Sequence, residues 1–147
     1  MYDTTDLPEY KMKALLASLG LIENLNIGGS IIDGLKTQLM QYNPAAVDNN
    51  KRILAILTSG LNNAGTSHEF SDINVTLVIA SLPDRSDAVT AKMIAMHYQD
   101  VFSKHIFDTD NSVCNGVFGA IPTGVQGPYY EDAGRVVFEL SLRLLIN

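Results

Sequence analysis

The chain has 147 residues and a mass of 16.0 kDa, with 46% hydrophobic and 18% charged residues, which is the size and composition of one ordinary domain. Sixteen acidic and ten basic residues give a formal net charge of −6, so no surface built to hold DNA, RNA or anionic lipid is expected. The single cysteine, Cys114, excludes an internal disulfide and favours a reducing compartment. The acidic first residues and the absence of about 18 uninterrupted apolar residues predict neither a signal peptide nor a membrane span.

The first 50 residues predict two helices and a polar connector. The first helix is expected to begin at Pro8, with Asp6 as its N-cap, and to end before Gly20. Its apolar face comprises Met12, Leu15, Leu16 and Leu19. After the break at Gly28-Gly29-Ser30, helical spacing of apolar residues predicts a second helix that ends before Pro44. Those residues are Ile31, Ile32, Leu35 and Leu39. Asn43-Pro44 and the polar residues 48–50 form the predicted connector.

The middle of the chain predicts a hairpin followed by a helix. The apolar run 53–57 is too short for a helix and is interpreted as a strand, with turn residues at 62–65. Residues 73–80 alternate between two faces and predict its antiparallel partner. Leu82-Pro83-Asp84 ends that strand, and spacings of three, four and seven then predict a helix over 85–105. Its apolar residues are Ala91, Ile94, Ala95, Tyr98, Val101 and Phe102.

The last third predicts a long loop-rich segment and a closing strand. Residues 105–134 contain four acidic residues, no Lys or Arg, and many Gly and Pro, with one strand predicted around 113–121. From residue 136 to 146, every second residue is apolar, which predicts a strand with one core face. The expected fold is therefore a single α+β domain over 1–147. It has a mainly antiparallel sheet of about four strands packed against a long helix, with additional N-terminal helices. Residues 1–30 are interpreted as an N-terminal helical extension.

No catalytic, cofactor or metal site is predicted. His68, His97 and His105 have spacings that match no helical metal-ligand pair, and Cys114 has no activating motif around it. The glycines at 28–29 and at 116 and 119 lack the phosphate-loop and dinucleotide patterns. The acidic pairs Asp108/Asp110 and Glu131/Asp132 are interpreted as solvated turns rather than cation ligands. We therefore do not expect an enzyme.

Two features of the last third invite a functional reading. Tyr129 and Tyr130 follow a Gly- and Pro-rich stretch, and tyrosines in such positions are common interface anchors. The turn Glu131-Asp132-Ala133-Gly134-Arg135 then leads into the closing strand. Two interpretations of this turn stay open, a hairpin turn whose acids face water and an interface.

Residues 122–135, PTGVQGPYYEDAGR, together with the final alternating strand, resemble the closing segment of the small tail-terminator or tail-completion proteins of long-tailed bacteriophages. The resemblance is loose over residues 31–147 and specific only over 122–146. Residues 1–30 depart from the family pattern.

The resemblance implies a virion protein at the head–tail junction, made in the host cytoplasm. Such a protein forms a homo-oligomeric ring, typically a hexamer, that caps the tail tube, stops its polymerisation and joins the tail to the head connector. The implied partners are further copies of the chain, the tail tube protein and the head–tail connector, with DNA only as passing cargo and no membrane. The candidate interface residues are Tyr129, Tyr130, Glu131, Asp132 and Arg135, and Arg135 is expected to pair with an acid. The alternatives are another junction component, a tube subunit, or a small ligand-binding or enzymatic α+β domain.

Overall fold

The computed structural model describes residues 7–62, 71–104 and 117–146. Within these ranges the chain forms two helices and seven strands. In chain order they are α1 (Pro8–Ser18), β1 (Leu25–Ile27), β2 (Ser30–Ile32), β3 (Lys36–Leu39), β4 (Ile53–Asn62), β5 (Ser71–Ala80), α2 (Ala88–Lys104), β6 (Val117–Tyr130) and β7 (Val136–Ile146). Short 3-10 turns occupy Pro44–Ala46 and Arg85–Asp87.

The strands form a two-stranded hairpin, β1–β2, and a five-stranded sheet in the order β3-β4-β5-β7-β6. Strand β3 pairs parallel to β4, and the other neighbours in the large sheet are antiparallel. The fold is therefore α+β, but its main sheet is mixed and has five strands instead of about four. The predicted hairpin of 53–57 with 73–80 is confirmed as β4–β5, with Ile53 opposite Ala80. The turn predicted at 62–65 lies almost wholly outside the described residues.

The second predicted N-terminal helix is wrong. Gly28 and Gly29 have φ angles of +60° and +86°, and they form a two-residue turn that closes the β1–β2 hairpin. The neighbouring isoleucines, Ile31 and Ile32, are β-branched and suit a strand. Leu39 ends β3 beside Ile56 of β4. The apolar residues that seemed to share one helical face therefore lie in two separate strands and, for Leu35, in the connection between them.

The strand predicted around 113–121 is confirmed from residue 117 onward, but β6 continues to residue 130, so the prediction of a loop is wrong for residues 122–130. The strand tolerates its glycines and prolines because it lies at the edge of the sheet, where a missing N–H leaves no neighbouring strand unpaired. The pairing register with β7 shifts at three places, two of which span Pro122–Gly124 and Gln126–Tyr129. The remainder of the predicted segment up to residue 116 lies outside the described residues.

The main core lies between one face of the large sheet and the two helices. Helix α1 contributes Met12 and Leu16, and strand β7 contributes its even-numbered residues from 136 to 144, as the alternation predicted. Helix α2, which covers most of the predicted 85–105 helix, buries Ala91, Ile94, Ala95, Tyr98 and Phe102. The opposite face of the sheet carries a smaller apolar cluster that includes Ile53, Ala55 and Val137. Strand β4 is apolar in every position from 53 to 57 because both of its faces are covered.

Candidate functional site

The β6–β7 connection lies at the end of the sheet where β5 also ends. The amide of Glu131 donates to the carbonyl of Arg135 at 3.0 Å, and the amide of Gly134 donates to the carbonyl of Glu131 at 3.0 Å. Gly134 has a φ of +100°, and a Cβ there would lie 3.2 Å from the carbonyl oxygen of Pro83. The turn is therefore closed on itself and seated against the segment that follows β5.

Arg135, a predicted interface residue, is instead part of the interior, with 2% of its surface exposed. Its guanidinium donates to the carbonyl oxygens of Lys51 and Ser81, each at 2.8 Å, and to that of Asp48 at 3.1 Å. The sequence predicted that Arg135 pairs with an acid, but within the described part of the chain no carboxylate forms a salt bridge with it. The guanidinium is therefore held by the dipoles of main-chain carbonyls, and the Asp48 oxygen also accepts the amide of Lys51 at 3.1 Å.

A second set of polar contacts fixes the segment beneath the turn. Arg52 and Asp87 form a bidentate pair, with nitrogen–oxygen distances of 2.9 and 2.7 Å. The same Asp87 carboxylate accepts the amide of Leu82 at 2.9 Å, and the hydroxyl of Ser81 accepts the amide of Val136 at 2.8 Å. The start of α2, the entry to β4 and the start of β7 are therefore held together under the turn.

The two acids of the turn have different environments. Glu131 is half-buried, and its Oε1 accepts the hydroxyl of Tyr42 at 2.6 Å. Burial raises the pKa of Tyr42, and the hydrogen bond to the Glu131 carboxylate raises it further, so this hydroxyl stays protonated. Asp132 is exposed to solvent. Only one of the two acids is therefore free to meet a partner.

Tyr129 and Tyr130 lie on the surface beside this turn, with 46% and 61% of their surface exposed. The guanidinium of Arg85 lies 5.3 Å from the centroid of the Tyr130 ring, within cation–π range. The structure thus places Tyr129, Tyr130 and Asp132 together on the surface, and we call residues 129–132 the tip.

A second exposed surface runs along the outer side of α2. Val89, Met93 and Met96 are 68%, 42% and 48% exposed, and they recur at spacings of four and three on the side away from the core. Together with Ile27 of β1 they line an open groove of about 490 Å³, which we call the α2 groove. Its other lining residues are Lys92 and His97. Sequence reasoning missed this groove, although the 89/93/96 spacing is a second apolar stripe on a helix already expected to bury another.

The groups considered for metal chemistry do not converge in the described ranges. There, no group of three or more His, Cys, Asp or Glu side chains is placed to hold a metal ion. His97 lines the α2 groove, whereas His68, His105, Asp108, Asp110 and Cys114 lie outside the described residues. None of the helices in those ranges has the length and apolar character needed to cross a membrane.

No protein-family model matches this chain, and comparisons with curated proteins and with solved structures give no significant match. The surfaces of the chain itself are therefore the basis for a function.

Proposed function

We propose that this chain is a self-assembling structural subunit of a phage tail, of the kind implied by the resemblance of residues 122–146. In this role it forms a ring that caps the tail tube, stops tube polymerisation and joins the tail to the head connector. The observation that carries the proposal is the tip, an exposed pair of tyrosines beside an exposed acid, held on a turn that the interior fixes in place.

The rigidity of the turn favours an interface role over that of a solvated loop. A flexible loop contributes little net free energy of binding, since ordering each of its side chains costs about 0.5–1.5 kcal/mol. Here Glu131 is already bound to Tyr42, and Arg135 already joins the turn to three carbonyl groups. Tyrosine adds a large contact area with few rotatable bonds. Folding therefore already orders the turn that carries the tip, and binding a partner costs less conformational entropy.

The free edge of β6 is a second surface through which a neighbouring subunit could bind, but it is poorly suited to strand pairing. An edge strand can pair with a strand of a neighbouring subunit. However, Pro122 and Pro128 have no amide hydrogen, and the register of β6 is shifted at three places. These interruptions leave only short stretches of regular backbone for strand addition. Side-chain contacts at the tip, rather than a continuous intersubunit sheet, are therefore the main source of binding energy in this proposal.

The charge of the chain suits a conduit for DNA. A tail channel must let DNA pass without binding it, which requires the absence of a basic lining. The chain has a net charge of −6, and residues 105–134 contain no Lys or Arg. This distribution of charge supports the proposal.

The assembly state tests the proposal directly. Sedimentation and negative-stain images of the purified chain should show rings, or association into rings when tube protein is added. Long cylinders formed by the chain alone would indicate a tube subunit instead. A chain that stays monomeric and does not bind tube protein would contradict the proposal.

A double substitution tests the tip as an anchor. Tyr129→Ala with Tyr130→Ala should weaken ring formation at least tenfold in concentration, because interface tyrosines contribute about 2 kcal/mol or more each when they act as anchors. The far-UV circular dichroism should not change, since both side chains lie on the surface. Tyr10→Ala, at a tyrosine 38% exposed on α1, is the matched control and should leave assembly intact. Assembly that survives the double substitution would show that the tip is not an anchor.

A further inference from the structure

We propose that the tip of one copy of the chain docks into the α2 groove of the next copy. This inference rests on the proposed self-assembly and goes beyond it by naming the surface that receives the tip. The two surfaces are exposed on the same molecule and share no residue.

The apolar parts of the two surfaces are complementary in kind. Tyr129 and Tyr130 are successive residues of a strand, so their exposed rings face opposite sides of the sheet. The groove presents the side chains of Met93 and Met96. Methionine has a flexible, polarisable side chain that adapts to the shape of a ring and makes favourable sulfur–aromatic contacts of about 0.3–1.5 kcal/mol. A methionine-lined groove is therefore well suited to receive one tyrosine ring of the tip.

The charges are also complementary. Lys92 is exposed and lines the groove, and no acidic residue is among the groove's lining residues. In the tip, Glu131 is already bound to Tyr42, so Asp132 is the exposed carboxylate that can face Lys92. Two copies of a chain with net charge −6 repel each other in general. An opposite-charge pair therefore favours this orientation over others.

The arrangement determines the type of assembly. Because the tip and the groove are different surfaces, a contact between them is heterologous, and each copy keeps a free tip and a free groove after the first contact. Repeating that contact yields a ring if the rotation closes. A twofold dimer that used one patch on both copies would stop at two subunits.

Substitution in the groove provides the first test. Met93→Glu places a second acid where Asp132 is expected and should abolish ring formation of the full chain in sedimentation experiments. Met93 is 42% exposed and lies outside the core, so the circular dichroism of the variant should match that of the wild type. The control is Met40→Glu, the same change at a methionine 54% exposed and outside the groove, which should assemble normally.

Mixing two defective variants provides the second test. The Tyr129→Ala/Tyr130→Ala chain keeps its groove, and the Met93→Glu chain keeps its tip. At a concentration where the wild type forms rings and each variant alone is monomeric, an equimolar mixture should form a one-to-one dimer and stop, since only one intact contact is available. In addition, Lys92→Glu should weaken assembly at least tenfold, and adding Asp132→Lys to the same chain should restore it.

The outcomes separate this inference from the proposed function. Suppose that the wild type forms rings. If Met93→Glu also forms rings, or if the mixture of the two variants stays monomeric, then the tip does not dock into the groove and only this inference fails. A wild type that is monomeric at its highest soluble concentration overturns this inference even if it binds tube protein. If the wild type neither assembles nor binds tube protein, both this inference and the proposed function are wrong.

Discussion

The guanidinium of Arg135 connects three segments of the chain at one end of the sheet. It donates to carbonyl oxygens that belong to the loop before β4 and to the residue that follows β5. An arginine can serve several carbonyls at once because its donors form a fixed planar fork. The residue selected from the sequence as an interface contact thus acts inside the molecule, where it positions the tip.

Replacing this arginine should destabilise the fold strongly. Arg135→Met keeps most of the aliphatic stem but removes a donor from three carbonyl groups, although that of Asp48 keeps the amide of Lys51. We expect the free energy of unfolding to fall by about 2–4 kcal/mol. Urea denaturation followed by circular dichroism measures the change. Arg85→Met, at an exposed arginine whose cation–π contact contributes about 0.5–1 kcal/mol, is the control. Equal effects of the two substitutions would contradict the tethering role.

The burial of Tyr98 predicts that the chain loses stability as the pH rises above 10. Tyr98 belongs to α2, its ring is fully buried in the core, and its hydroxyl donates to the carbonyl of Leu21. Burial raises the pKa of the phenol above its ordinary value of 10.0. Below pH 10 the tyrosine is protonated in both states, so its contribution to stability is complete. Above pH 10 it ionises only in the unfolded chain, and stability falls by about 1.4 kcal/mol per pH unit.

The variant Tyr98→Phe isolates this effect. At pH 7 it should be less stable than the wild type by about 1–2 kcal/mol, because the Leu21 carbonyl loses its donor. As the pH rises above 10, the variant lacks the ionising phenol, so the difference should narrow and vanish within about two pH units. Urea denaturation curves between pH 7 and 11.5 provide the measurement. A difference that stays constant over this range would show that Tyr98 ionises equally in both states.

At the scale of elements, β6 shows how an edge strand accommodates residues that usually end strands. Gly127 has a φ of +123°, and a Cβ there would lie 2.8 Å from the carbonyl oxygen of Val137 on β7. The backbones of β6 and β7 therefore approach too closely for any side chain at this point. The close approach lies just before the tip, whose two tyrosines pair with β7 at the end of β6.

Gly127→Ala should consequently destabilise the chain by about 2–4 kcal/mol, because the methyl group meets backbone that cannot move without breaking the β6–β7 pairing. Gly28→Ala is the matched control. Gly28 also has a positive φ, +60°, but a Cβ there meets nothing within 4 Å, so only the conformational cost of about 1 kcal/mol applies. Thermal or urea unfolding of both variants provides the comparison, and an equal loss would argue against the close approach at 127.

Elements with one regular period were predicted well, and those with a changing environment were not. The alternation in β5 and β7 and the spacing in α2 each identify an element whose one face is buried. The prediction for residues 31–39 was wrong because the spacing of their four apolar residues fits a helix as well as two short strands with Leu35 between them. The glycine pair at 28–29 was the available signal, since it is typical of a tight hairpin turn.

At the scale of the whole molecule, the order of strands could not be predicted from local patterns. Strand β3 joins the sheet parallel to β4, and β7 inserts between β5 and β6. Such pairings depend on which surfaces remain uncovered once the other elements have packed. The exposed stripe on α2 arises in the same way, because the sheet covers one side of the helix and leaves Val89, Met93 and Met96 on the other.

The sequence by itself determined the α+β class, the positions of β4, β5, α2 and β7, and an acidic chain without a basic segment over residues 105–134. These properties depend on composition and on periods of two or 3.6 residues, which are local. Only the tertiary structure decided that Arg135 is buried, that Glu131 is bound to Tyr42 while Asp132 stays exposed, and that a methionine-lined groove is open on α2. These properties depend on contacts between residues as far as 89 positions apart, as for Tyr42 and Glu131, and no local pattern encodes such contacts.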